Sequence, residues 1–552
     1  MSIPKALTDL PINTADSGFY RGFSEMVTIS SKILIGGLVV WAIAFPEQSG
    51  AILNSINKFI LASFGAWYIW TVALFVICCI GLAIWPAAGK LKLGHGDDKP
   101  EFSNFSWFSM MFGAGIGVGM LTWAVAEPVY HFANNPEVIQ GITIGSTADN
   151  VRMAYKWSFL HWGLGAWACY AIAGLSLGFF AYRRGLPLTM RSSLTPLFGS
   201  KLSGSLGHVV DIVAVVATIL GVAQTLGFGV EQFVAGLTRI GISGLTNAEG
   251  TANTAGVLIA IVVIMAASTA SALSGVGKGI KWLSNINMVL SILLLTFFLL
   301  FGSTFFGMQA LILGIWDYVI ALPDMMFRVW TTDGVEGSVA TKLEGWQGGW
   351  SVFYWAWWIA FAPFVGLFLA RISKGRTIRE FVLGAMIVPS LMCFVWFTWA
   401  GGTAIDLELT GGANGLISGA PDGDKIFAMV QFMLTPAVGW AMSVMIVVLL
   451  MTYLVTTADS AVLIVNTINA AGDEGPKARP HILFWGVALG SVVAALLLVG
   501  GLKAIQTAMV IGALPFSVVM VLQCVALIKA IYNDGRREQN GQETTIASAP
   551  AE

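Results

Sequence analysis

Gly113-Ala114-Gly115-Ile116-Gly117-Val118-Gly119, closed by Glu127-Pro128, is the stretch on which the fold turns. It lies in an apolar run, 107–133, long enough to cross ~30 Å of hydrocarbon as a helix. Yet it holds four glycines in seven residues, each costing a helix about 1 kcal/mol relative to alanine. Close helix packing through small residues accounts for such a run. So does a helix unwound at bilayer depth, which is tolerated only where it lines a cavity or is buried in protein. Unwinding would free carbonyls for a cation and amides for an anionic substrate group.

The rest of the chain makes lipid the solvent. Of 552 residues, 56% are hydrophobic and 11% charged, where a soluble protein carries about 25% charged residues. That excludes a soluble enzyme, a nucleic-acid binder and a disordered scaffold. The net charge of -1 gives no reason to expect an anionic partner. Cys78, Cys79, Cys169, Cys393 and Cys524 lie in apolar runs and read as core residues. Twelve apolar windows predict membrane helices: 27–46, 66–86, 107–133, 154–182, 208–238, 254–273, 282–306, 350–371, 379–401, 434–465, 481–501 and 504–531. Residues 1–25 are polar and mixed in charge, unlike a cleavable signal. Residues 308–330, half-apolar and interrupted by Pro323, predict a helix lying at the interface. With both termini inside, 21 of the 29 basic residues fall on the cytoplasmic side, as the positive-inside rule requires. The polar tail 532–552 is expected to be short, cytoplasmic and mobile.

Two further stretches ask for more than apolar bulk. In span eight, Trp357, Trp358 and Phe361 sit well inside the membrane beside Pro363. Tryptophan is ordinarily a headgroup-level anchor; large aromatics at mid-depth instead suggest a box for an organic cation, at ~0.5–2 kcal/mol per ring face. Trp162, Trp167 and Tyr170 in span four offer more walls, Trp162 and Tyr170 lying close to one helix face. In span ten, Thr456 and Thr457 precede the intramembrane Asp459. A bond back to the helix's own carbonyl is the usual fate of such hydroxyls. They are also suitable ligands for sodium, with Asp459 supporting the site from behind. Spans three and eight, both expected to be broken, are five spans apart, an odd offset that matches two inverted five-helix repeats over spans three to seven and eight to twelve.

Together these stretches resemble the betaine/choline/carnitine transporter family. The resemblance rests on WAWWIAFAPFVGLFLARISKGRTIREF at Trp355–Phe381, on the glycine run with its Ala-Glu-Pro, on His161-Trp162…Tyr170, and on Thr-Thr-Ala-Asp-Ser at Thr456–Ser460. It covers the membrane part and fades in both tails. It implies an all-α, LeuT-like inverted-repeat fold with twelve transmembrane helices, secondary active transport and a homotrimer in a bacterial inner membrane. The family's ammonium box then falls on Trp162, Trp167, Tyr170 and Trp358, with Trp357 and Phe361 nearby. The substrate carboxylate would face amides of the unwound segment, around Gly115 and Gly117. The core sodium site would use the Thr456 and Thr457 hydroxyls with carbonyls at Gly113, Ile116 and Tyr453. A weaker second site would use Thr218 and Phe364.

Phe361 departs from the third tryptophan common in betaine carriers, which leaves a roomier, less polar wall and suits another onium compound such as dimethylsulfoniopropionate. The glycine run lacks the aspartate of choline carriers, favouring a zwitterion that brings its own carboxylate. The retained threonine pair favours sodium symport over the alternatives, a sodium-independent betaine or carnitine exchanger and proton-coupled choline uptake. No resident cofactor is expected. A channel would repeat polar lining along its pore, whereas these aromatics cluster at one depth. An enzyme is not expected, because the five histidines look scattered and His161 reads as a packed membrane histidine. The short tail carries only Arg536 and Arg537, unlike the long basic helix of osmosensing members.

Overall fold

A computed structural model describes residues 5–115, 117–274 and 281–541. Among them the secondary structure is helical, with isolated bridges and no strand. Leaving aside single-turn helices, α1 is Glu25–Ala44, α2 Pro46–Ile84, α3 Asn104–Gly115, α4 Val118–Ala133, α5 Val151–Trp162, α6 Leu164–Gly178 and α7 Ser205–Arg239. They are followed by α8 Thr254–Ser274, α9 Lys281–Phe301, α10 Thr304–Met325, α11 Val339–Gln347 and α12 Phe353–Ile372. The last are α13 Ile378–Trp396, α14 Gly402–Leu409, α15 Lys425–Met433, α16 Pro436–Asn469 and α17 Arg479–Gln539.

Local chemistry explains several starts. Proline at the first helical position, where its missing N–H is no loss, opens α2 and α16. Thr377 and Glu380 form a reciprocal capping box at the start of α13. Ser338 accepts from Thr341 N at 3.1 Å to cap α11.

Among the described residues, eleven helical segments are long and apolar enough to cross a bilayer. Span three drops out of that set because it is divided, into pieces of 12 and 16 residues. The helix α10 enters it and runs on past Pro323 to Met325. The last two windows share α17, whose 61 residues would span about 90 Å if straight. It is not straight: Gly500 and Gly501 take non-helical angles, Gly501 at φ 61°, a conformation open chiefly to glycine. Large apolar side chains such as Ile33, Val40, Val262, Leu300, Phe305 and Val487 face outward, as lipid-facing residues must.

The breaks differ from expectation at two places. Span three is interrupted as predicted, Gly117 being fully extended between α3 and α4. Span eight is not: α12 runs unbroken through Pro363. Its irregularity is a π-helical turn at Gly348–Val352, before the tryptophans. The packing holds α12 together. A Cβ on Gly366 would lie 2.7 Å from Ala173 Cβ and 2.9 Å from Gly174 N, and one on Gly221 would lie 2.9 Å from the Ala360 carbonyl carbon. Neighbouring helices pressed this closely tolerate the one hydrogen bond a proline removes. An unforeseen break falls in span four, at Gly163 between α5 and α6 (φ -93°, ψ -141°).

The α6–α12 crossing predicts that Gly366→Val will lower stability by about 1–3 kcal/mol, the usual penalty of overpacking. Thermal melting of the purified variant checks this; an unchanged melting temperature would mean that the helices can part at no cost.

The expected mobile tail also needs correcting. Helix α17 continues through Tyr532 to Gln539, and Asp534 is fully buried. It accepts hydrogen bonds from Arg184 and, at 2.8 Å, from Arg537. Residues 542–552 lie outside the described residues.

Candidate functional site

The broken helix of span four creates the site. Ending α5 at Trp162 deprives the carbonyls of His161 and Trp162 of their usual partners, and an unpaired buried backbone group costs about 1–3 kcal/mol. Two indoles replace those partners. Trp358 Nε1 donates to His161 O at 2.9 Å, and Trp167 Nε1 donates to Trp162 O at 3.2 Å. On the other side of the break, Leu164 N donates to the Tyr318 hydroxyl of α10 at 3.0 Å.

The rings so fixed form one buried cluster. Trp357 and Trp358 stack at 4.8 Å and 13°. Trp162 stands edge-on to Trp358 at 5.0 Å, and Tyr170 does so at 6.1 Å. Trp167 meets Tyr170 at 5.3 Å, and Phe361 lies at the edge, 6.4 Å from Tyr170. All six aromatic residues expected from the sequence are therefore brought together. Tyr354, which the sequence reading did not single out, stacks on Trp358 at 5.4 Å. Trp357 Nε1 is taken by Thr225 Oγ1 at 3.2 Å and Trp162 Nε1 by Glu127 at 2.6 Å. All four indole N–H groups serve the protein, so the ring faces are what a ligand can meet.

The glycine run touches this cluster. A Cβ on Gly119 would lie 2.9 Å from Trp357 Cη2, whereas one on Gly117 would meet nothing within 4 Å. Close approach to an indole is thus one reason for glycine here. Gly115 ends α3. The rings are packed shut on one another; a cavity of about 340 Å³ lies elsewhere, lined by Lys58, Trp330, Gly348, Phe353 and Lys503.

At the expected sodium site, Thr456 Oγ1 bonds back to Thr452 O at 3.0 Å and Tyr453 O at 3.1 Å, the ordinary intrahelical arrangement. It also accepts from Asn287 Nδ2 at 3.1 Å. Thr457 is half-buried. Asn287 Oδ1 is buried without a hydrogen-bond partner, and its neighbour Met288 approaches the Cβ position of Gly113 to 4.0 Å. Helix α9 therefore stands against both the glycine run and Thr456. The Tyr453 hydroxyl pairs with Ser291 at 2.5 Å, and Asp459 is bound by Ser271 and Ser460 at 2.5 and 3.1 Å. Ile116, the remaining expected carbonyl ligand, lies outside the described residues. For the second site, Thr218 Oγ1 donates to Ala214 O at 2.7 Å, and the Phe364 ring lies 4.9 Å from Phe361.

The sequence reading missed one feature. Glu127 is completely buried and receives Trp162 Nε1, the Tyr354 hydroxyl at 2.5 Å and His161 Nδ1 at 2.7 Å. His131 Nε2 lies 3.3 Å from the same carboxylate. The histidines are thus not all scattered: two converge on one acid. The signal was present, since Glu127 and His131 share a helix face four residues apart and an intramembrane carboxylate is a functional candidate by default.

A divided, glycine-lined membrane helix against a buried aromatic cluster is the architecture of a membrane transporter. The chain belongs to the betaine/carnitine/choline family of transporters, whose family model matches residues 26–536. That family is one of transporters, not enzymes. The chain is 36% identical over 514 residues to the glycine betaine transporter OpuD of Bacillus subtilis, covering 93% of this chain and 95% of that one. It is 37% identical over 527 residues to a glycine betaine transporter of Acinetobacter baylyi, covering 96% and 76%. An osmo-independent choline transporter of the same organism is 35% identical over 526 residues, covering 94% and 95%.

Proposed function

We propose that this protein imports a zwitterionic methylated onium compound, of the glycine betaine or dimethylsulfoniopropionate type, by sodium symport with alternating access. The observation that carries the reading is the cluster of Trp162, Tyr170, Trp357 and Trp358, whose indole N–H groups are engaged by protein, so that an onium head would meet ring faces once the packed rings part to admit it. Cation–π attraction between such faces and a desolvated onium group is the favourable term. The lack of an acid in Gly113–Gly119 supports a substrate with its own carboxylate. The names of two relatives, glycine betaine transporters, support the same class.

Sodium would sit between the glycine run and Thr456–Thr457. The unpartnered Asn287 Oδ1 beside Thr456 supports this with one more oxygen than the sequence suggested. An ion ordering the unwound segment would couple to substrate binding, because the segment serves both. Each charge moved inward gains about 2.3 kcal/mol per 100 mV. The reading includes twelve spans in two inverted repeats, both termini cytoplasmic, and a homotrimer in a bacterial inner membrane.

Uptake of labelled betaine and dimethylsulfoniopropionate into proteoliposomes, under separate sodium and proton gradients, tests it. Sodium-driven accumulation supports the reading; uptake driven by protons, or needing only a betaine-like solute inside, overturns the coupling. Thr457→Ala is expected to raise the sodium concentration for half-maximal uptake at least tenfold, and Trp358→Phe far less. Equal sodium dependence in the two variants would remove Thr457 from the ion site.

A further inference from the structure

Buried carboxylates in a membrane protein are expected to be balanced by a cation, because an uncompensated charge away from water is strongly unfavourable. Glu127 is not balanced in this way. Its side-chain partners are Trp162, Tyr354, His161 and His131, with no lysine or arginine among them. His131 is equally unusual: it is completely buried, and its Nε2 faces the Glu127 carboxylate at 3.3 Å. The onium reading uses Glu127 only through its bond to the Trp162 indole, and neither the sodium nor the onium reading gives His131 a task.

We infer that Glu127, His131 and His161 form a binding site for one first-row transition-metal ion of the Zn²⁺ class. Two imidazoles and a carboxylate are a suitable donor set for such an ion, with a fourth position left for water. The three ligand atoms lie within 4.8 Å of one another. An ion about 2.0–2.1 Å from each in tetrahedral array needs them about 3.3 Å apart. The His131 Nε2–Glu127 Oε1 distance is already 3.3 Å. The His161 Nδ1–Glu127 Oε1 pair, at 2.7 Å, is a hydrogen bond that must open by about half an ångström.

The surroundings are those of a prepared site. His161 Nε2 faces Ser351 Oγ at 3.0 Å. When Nδ1 takes the metal, the ring proton resides on Nε2 and is donated to Ser351, and a proton held by the Glu127 carboxyl leaves to solvent. Glu127 Oε2 is held by Trp162 and Tyr354, which leaves Oε1 for the ion. Such outer hydrogen bonds orient metal ligands and tune their affinity. The site lies one ring layer below the surface: Trp350, half-buried, covers His131 at 4.5 Å, and the exposed Tyr130 flanks it at 5.6 Å. A bound ion would tie α4 to α5, and through Ser351 to the π-helical turn before α12.

The test is a titration of Co²⁺, as a spectroscopic stand-in for Zn²⁺, into the purified full chain stripped of metal by chelator in detergent micelles. One Co²⁺ per chain, with visible absorption bands abolished by Zn²⁺, is expected. His131→Phe keeps the ring contacts and gives up the 3.3 Å contact with Glu127; it should weaken binding at least tenfold with at most a small fall in melting temperature. Ser351→Ala, should His131→Phe fold poorly, is expected to weaken it about 10–100-fold. Absence of stoichiometric binding, or wild-type affinity in both variants, would overturn the site. A cluster that holds only a proton gives the first of these results. Because metal binding is read directly, the outcome does not depend on the transported substrate or its coupling ion.

Discussion

Asp211→Ala is expected to destabilise the protein by about 3–5 kcal/mol, because it strands a buried charge. Arg191 is wholly buried, its Nε donating to Asp211 Oδ2 at 2.6 Å and its backbone N to Oδ1 at 3.2 Å. Among the described residues the only other acceptor for the guanidinium is Leu202 O at 3.3 Å, and Nη2 lacks a partner there. Removing the carboxylate leaves a guanidinium that cannot lose its proton and cannot reach water. Asp211→Asn keeps an acceptor and should cost less. The double variant Arg191→Met/Asp211→Leu should recover most of the loss, since an apolar pair of similar size carries no desolvation penalty. Equilibrium unfolding in mixed micelles measures all three. A single alanine variant within about 1 kcal/mol of wild type would show that water or another anion compensates the arginine.

Trp358→Ala combines two losses. The indole fills a buried cluster, so truncation alone should cost about 3–5 kcal/mol. It also removes the N–H that satisfies His161 O at the Gly163 break, leaving a buried carbonyl unpaired at about 1–3 kcal/mol. On the proposed function it further removes a face for the onium head, at about 0.5–2 kcal/mol. Trp358→Phe separates these effects: it keeps a ring and loses the N–H. The expected order of stability is wild type, then phenylalanine, then alanine. The phenylalanine variant should retain transport with a raised half-saturation concentration for substrate. If it were as stable as wild type, the indole–carbonyl bond would not be what secures the break.

Much of this architecture was legible in the chain. The apolar windows located the membrane helices, because burial in lipid imposes a length and a composition that few other environments demand. The glycine run located the break in span three, where four glycines remove the propensity that would keep a helix intact. The aromatic residues of spans four and eight that the sequence singles out do pack into one cluster. Pro363 misled. A proline removes one hydrogen bond, and whether a helix breaks there depends on what presses against it, here Gly174 and Ala173 on α6. Gly163 went unremarked for the converse reason. A single glycine is a weak signal, and the break it permits is secured by Trp167, Trp358 and Tyr318 from three different helices.

The division between sequence and structure follows from range. Composition, span positions and the residue types suited to an onium head are local properties, present in any conformation of the chain. The convergence of Glu127, His131 and His161, the unpartnered oxygen of Asn287 beside Thr456, and the use of every indole N–H in the cluster are pairings across helices. They exist only once the bundle is assembled. A buried polar group gains or loses its meaning from the one partner that packing brings within about 3 Å, and no pattern along the chain specifies that partner.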